Sequence, residues 1–258
     1  VNLAQAYRLA VVAACLSYAS VRDVKDRAVG DLVWLAMAMA VAPAVAYEAH
    51  VGELPLTLVA SSLSSCLLLG FIAHRLGLFG GADMMALWAL GLALPDYPSS
   101  SWFPLLGVAQ PILSLGVFNN TIALAASTAI YILLRNLAYK AGGRALFEGV
   151  EASSAVKALA LLTGFKVKAS RLDERSHVFI LEEVEVGRRR LKVSFPARRA
   201  ERQRLGVGAE ERGQLGEEVW VTPALPLIAY MLAGLAVALI LGDLITSLIR
   251  WVFSLRVP

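Results

Sequence analysis

Histidine and cysteine are scarce in this chain. Among its 258 residues there are three histidines and two cysteines. His50, His74 and His177 are scattered, and the cysteines lack zinc-site spacing, so no metal centre and no cofactor are expected. Cys15 and Cys66 fall within apolar runs, where a thiol reads as a small buried apolar group. Charge is thin as well: 17% of the residues are charged against 58% hydrophobic, and the mean hydropathy is +0.65. A soluble domain is nearer half apolar. The excess is gathered in runs, the signature of a polytopic membrane protein in a lipid bilayer. The net charge of +4 arises largely between Lys140 and Arg212, most densely at Arg188-Arg189-Arg190 and Arg198-Arg199. Only Phe195 falls between these two dense points, and no set of stacking aromatics is interleaved with the charges, so nucleic-acid binding is not expected; a cytoplasmic-side domain near anionic lipid is. The amino terminus lacks the basic region and processed end of a signal peptide and reads as a first membrane helix.

Six apolar segments are expected to span. They run from Leu3 to Ala19, Leu32 to Tyr47, Leu54 to Ala73, Leu76 to Leu94, about Thr121 to Leu137, and Leu225 to Ile245. Arg8 is expected to snorkel from the outer end of the first. Pro104, Gly107, Gln110, Pro111 and Gly116 interrupt the stretch before the fifth, which reads as a surface or re-entrant piece. Asn119-Asn120-Thr121 matches a glycosylation sequon as chance would allow. Between residues 139 and 222 the apolar runs shorten. Ala152 to Leu162 predicts a helix. Lys166 to Lys168, His177 to Val186, Leu191 to Phe195 and Val219 to Val221 predict strands, and Ala197 to Leu205 predicts an exposed basic stretch. The expected architecture is an all-α polytopic membrane protein of about six transmembrane helices. Its membrane part comprises residues 1–138 and 223–258, with a small soluble α+β domain, 139–222, inserted between helices five and six.

The basic residues orient this arrangement. Arg22, Lys25 and Arg27 follow the first segment, Arg75 follows the third, and most others lie in the inserted domain. Placing them inside puts the amino terminus outside the cell membrane. A seventh span over Phe103 to Gly116 would put the basic domain outside, against the rule.

Parity then brings two carboxylates to the cytoplasmic side. Asp23 lies just past the inner end of segment one. Asp83 lies in the first turns of segment four, about 10 Å along a helix starting at Leu76. An acid within an apolar run is costly and marks a functional site, and Gly80 and Gly81 let other backbone approach it. Two neighbouring carboxylates share a proton: the ionised one can take a proton from water while the protonated one polarises a peptide carbonyl. Asp26 is the alternative occupant of the Asp23 role. Asp31 is expected to cap segment two, and Asp243 to be an interfacial residue at the outer end of segment six.

Asp23-Val24-Lys25-Asp26-Arg27-Ala28-Val29, followed by Asp31 and Trp34, resembles the first catalytic motif of archaeal type IV prepilin and preflagellin peptidases. Gly80-Gly81-Ala82-Asp83 resembles their Gly-x-Gly-Asp motif, with Ala82 in place of the second glycine. Ala145 to Gly149, Leu162 to Gly164 and Val219 to Pro223 look like the same family. The resemblance implies a membrane aspartic endopeptidase that cuts the short basic leader from flagellin or pilin precursors. Asp23 and Asp83 would be the catalytic pair and Gly80 and Gly81 would shape the approach to it. Lys25 and Arg27 read as auxiliary residues or as positive-inside anchors. Glu182, Glu183 and Glu185 are candidates to receive a basic leader, or else a solvated acidic face. Bacterial relatives often add a cysteine-rich amino-terminal domain and methylate the new amino terminus; without those cysteines, a peptidase lacking methyl transfer is expected. Two other readings stay open. An ion-coupled transporter would use Asp83 as a proton relay, although no internal repeat of helices is visible. A structural membrane subunit would dock a partner through its basic domain.

Overall fold

The computed structural model describes residues 2–98, 104–107, 110–171, 178–185, 188–192 and 217–254. By packing it divides into two units, residues 1–125 with 226–258, and residues 126–225.

In the first unit, α1 (Leu3–Asp26) starts at Asn2, whose side chain accepts the Gln5 amide at 2.6 Å. The helix continues past Ala19 because its last two turns are polar yet helix-compatible, so Asp23 is helical. It ends at Arg27, with φ of 52°. The next two helices, α2 (Leu32–His50) and α3 (Leu56–Arg75), finish alike. Gly52 and Gly77 take φ of +81° and +77°. The amide after each glycine bonds back into the helix, Glu53 to Glu48 O at 2.9 Å and Leu78 to Ala73 O at 2.9 Å. This Schellman closure needs a residue without Cβ strain. It also corrects the expected fourth segment: Leu76 to Phe79 form a turn, and α4 runs only from Gly81 to Ala93. Asp31 stands at the start of α2, but its side chain makes no cap hydrogen bond.

Helix α5 (Leu113–Ala141) begins eight residues earlier than expected. The last segment is two helices, α7 (Leu227–Ile240) and α8 (Leu244–Ser254), bent by 50°. Among the described residues three helices, α2, α3 and α5, are long and apolar enough to cross a membrane, and the bent pair counts as a fourth where its two halves form one span. The chain is thus mostly helical and multi-pass, with a small sheet region.

Helix α4 is the most enclosed, burying Ala86, Leu87, Ala89, Leu90 and Ala93 among Val12 and Leu16 of α1, Met37 and Val41 of α2, and Met231 and Leu235 of α7. Small residues set its approach to α3: a Cβ on Gly91 would lie 2.6 Å from Cys66 Cβ. Polar ties hold the helix ends. Arg8 does not snorkel; it is buried, with Glu48 at 2.6 Å, Asp96 at 2.9 Å and the Ala93 carbonyl at 2.7 Å. Asp243 is buried too, accepting from Gln110 at 2.5 Å, Asn119 at 2.8 Å and the Thr246 hydroxyl at 2.6 Å.

The second unit carries α6 (Ser154–Thr163) and two antiparallel sheets. One has the order β1 (Phe165–Lys168), β5 (Glu218–Pro223), β2 (Val178–Ile180), with Phe165 opposite Val221 and Val178 opposite Pro223. The other pairs β3 (Glu182–Glu185) with β4 (Arg188–Leu191). Thus β4 begins earlier than the strand expected at Leu191, and Ala197 to Leu205 lies outside the described residues. Trp220 stacks on Phe147 at 4.9 Å over Leu146, Leu181 and Leu191. The expectation of an exposed acidic face fails at Glu182. Its buried carboxylate accepts from the Trp220 amide at 2.7 Å and pairs with Arg189 at 2.6 Å. Glu183 pairs with Lys192 at 2.8 Å.

Candidate active site

Helix starts leave amide N–H groups without intrahelical partners, and these attract negative charge. Both candidate carboxylates meet such an end. Asp83 is the third residue of α4, and its Oδ2 accepts from the Gly80 amide at 2.9 Å. This is the carboxylate half of a capping box; glycine at the cap has no side chain to return. The fold-back also explains the glycine: a Cβ on Gly80 would stand 3.2 Å from Asp83 Oδ2, while one on Gly81 meets nothing within 4 Å. The turn ahead of α4 is held by Phe79, which is buried, meets Phe118 edge-on at 6.2 Å, and presents its carbonyl to His74 Nδ1 at 3.1 Å. The depth expected for Asp83 is therefore revised. Counted from Gly81, it lies only about 3 Å along its helix.

Asp23 stands one turn before the end of α1. Its Oδ2 accepts from the Ile228 amide at 3.2 Å, in the first turn of α7. The cap of α7 is Pro226, with no side-chain acceptor, so Asp23 supplies from another helix what a capping residue supplies locally. Ser20 adds a bond to the Ile228 carbonyl at 3.3 Å. Sequence reasoning missed Ile228, since a backbone amide inside an apolar run leaves no signal.

The two carboxylates lie within electrostatic reach of each other, and Arg27 reaches both. Arg27 Nη1 is 3.9 Å from Asp23 Oδ1. Burial pushes the guanidinium below its ordinary range, and the charges of Asp23, Tyr230 and Asp83 oppose that shift; an arginine stays cationic regardless. The other first-motif residues face elsewhere. Asp26 is half exposed and pairs with Arg22 at 2.9 Å, and Lys25 is exposed. Ala82 is half-buried beside Asp83. The centre thus offers two carboxylates, each steadied by a helix-end amide, with a cation beside them. This suits proton transfer to and from a bound water.

Comparison with known proteins places this geometry in context. Residues 156–244 match the family model "Archaeal Peptidase A24 C-terminus Type II". The chain is 25% identical to the preflagellin peptidase of Methanocaldococcus jannaschii over 251 residues, covering 93% of this chain and 96% of that protein. It is 23% identical to the preflagellin peptidase of Methanococcus voltae, covering 91% and 94%. For the preflagellin peptidase of Methanococcus maripaludis the figures are 25%, 88% and 92%. The family model begins beyond both candidate aspartates, whereas the three relatives match over nearly their whole lengths.

Proposed function

Because the chain belongs to the archaeal preflagellin peptidase family and is a protease, we propose that it removes the short basic leader from preflagellin- or prepilin-type precursors at the cytoplasmic membrane face. The catalytic groups are Asp23 and Asp83. The observation that carries this reading is their shared setting: two acids sixty residues apart in sequence, each held on a helix-end amide and each sensed by Arg27.

The chemistry is hydrolysis by a carboxylate pair holding one proton. The ionised member removes a proton from water as the water oxygen attacks the scissile carbonyl carbon. The protonated member gives its proton to the carbonyl oxygen, so a neutral tetrahedral diol forms. The first acid, now protonated, delivers its proton to the amide nitrogen. The C–N bond breaks, and a hydroxyl proton of the diol returns to the second acid, leaving a carboxylic acid, an amine and the original pair.

The wider arrangement belongs to the same proposal. Helices α1 and α4 join α2, α3, α5 and the α7–α8 pair as six spans. The amino terminus is outside, and residues 139–222 form a cytoplasmic domain. Asp23→Asn and Asp83→Asn, made separately and assayed against a leader-bearing precursor in detergent, are each expected to abolish cleavage. Full cleavage by either variant overturns the dyad.

A further inference from the structure

We infer that Arg27 is a positioning residue of this centre: a fixed cation that keeps Asp23 as the ionised carboxylate and leaves the shared proton on Asp83. The inference rests on the dyad reading and assigns the roles within it.

Three observations carry it. First, Arg27 is the one non-glycine residue with positive φ among the described residues, at 52°. That conformation is favoured by glycine or asparagine, and an arginine there is strained. Helix α1 would close at least as well on glycine, so stability does not explain the arginine. Strain of this kind gathers at working sites. Second, the side chain turns inward. Its Nε and Nη1 are enclosed and have no hydrogen-bond partner among the described residues. An exposed positive-inside anchor would leave those groups in water. Third, the charge sits unequally between the acids. Asp23 has the guanidinium 3.9 Å from Oδ1 and the Ile228 amide on Oδ2. The contacts seen for Asp83 are the Gly80 amide and the more distant field of the same cation. Among the described residues, the titratable groups that reach the guanidinium are Asp23 on its own helix, Asp83 at the start of α4 and Tyr230 on α7. With one proton to share, the acid nearer the cation keeps the negative charge. Asp23 is then the base that activates water, and Asp83 the acid that protonates the carbonyl.

Arg27→Gly and Arg27→Lys test this, using cleavage of a leader-bearing precursor by the full chain from pH 4 to 9. Losing the cation makes Asp23 harder to ionise, so the acid limb of kcat/KM moves up by about one pH unit in Arg27→Gly. One unit below the wild-type midpoint, the rate then falls about tenfold. Arg27→Lys keeps the charge and holds the limb near wild type. Thermal unfolding of Arg27→Gly is expected at or above the wild-type temperature, because glycine relieves the positive φ. An unmoved acid limb in Arg27→Gly overturns the inference, as does an equal shift in both variants. The dyad reading is judged separately: cleavage that survives Asp23→Asn sinks both, whereas loss of cleavage there with an unmoved limb in Arg27→Gly sinks the Arg27 role alone.

Discussion

Asp83 folds onto the Gly80 amide, and a Cβ at residue 80 would press on its Oδ2 at 3.2 Å, with branched γ carbons pressing further. Gly80→Val is therefore expected to push the carboxylate aside and lower kcat by roughly 100-fold, as misplacements of about an ångström do. Gly81→Ala, with nothing within 4 Å, is expected to stay within a few-fold of wild type. Single-turnover cleavage measures both. Far from this centre, the buried Arg8 pairs directly with Glu48 and Asp96. Glu48→Ala leaves that guanidinium short of a partner and is expected to destabilise the fold by about 3–5 kcal/mol, read as an earlier unfolding transition in detergent. Asp83 stood out in the sequence as a candidate because an acid in an apolar run has few ordinary explanations. The burial of Arg8 did not: its partners lie 40 and 88 residues away, and no local pattern announces them. Glu182 was misread for the same reason, since the Trp220 amide that binds it comes from a strand 38 residues on.

Among the elements, hydropathy located the helices better than it located their ends. Leu76 and Leu78 are apolar and looked like the start of a span. The decisive residue was Gly77, whose positive φ closes α3; a glycine just past a basic last turn is a stop signal that an apolar run disguises. The opposite error occurred in α1, whose polar final turns continue a helix that hydropathy alone ends too soon. Tight pairing of α3 with α4 depends on Gly91. Gly91→Val forces its new atoms into Cys66 and the Ser62 carbonyl, 3.2 Å from the added Cβ. The expected loss is about 1–3 kcal/mol, together with reduced cleavage, because α4 carries Asp83. The comparison substitution Gly30→Ala meets nothing within 4 Å and is expected to leave the unfolding temperature unchanged.

At the scale of the whole molecule, charge asymmetry read from the sequence predicts a sidedness that labelling can test. Val51, exposed in the turn after α2, is expected outside, and Gly30, ahead of α2, inside. With Cys15 and Cys66 replaced by serine, a membrane-impermeant maleimide should label Val51→Cys in intact cells. Gly30→Cys should be labelled only after the membrane is opened; the reverse pattern would invert the topology. Helix α4 has 13 residues, about 20 Å of rise, whereas hydrocarbon is about 30 Å thick. On the proposed topology α4 is enclosed by neighbouring helices and not by lipid, so its short length is expected to leave its first turn below the level of the headgroups. Hydrolytic water is then expected to reach Asp83 between the helices, over a path that lengthens as the bilayer thickens. Cleavage should accordingly slow in vesicles of long-chain lipid and quicken in thin ones, a dependence that a catalytic centre lying wholly in the cytosol would not show.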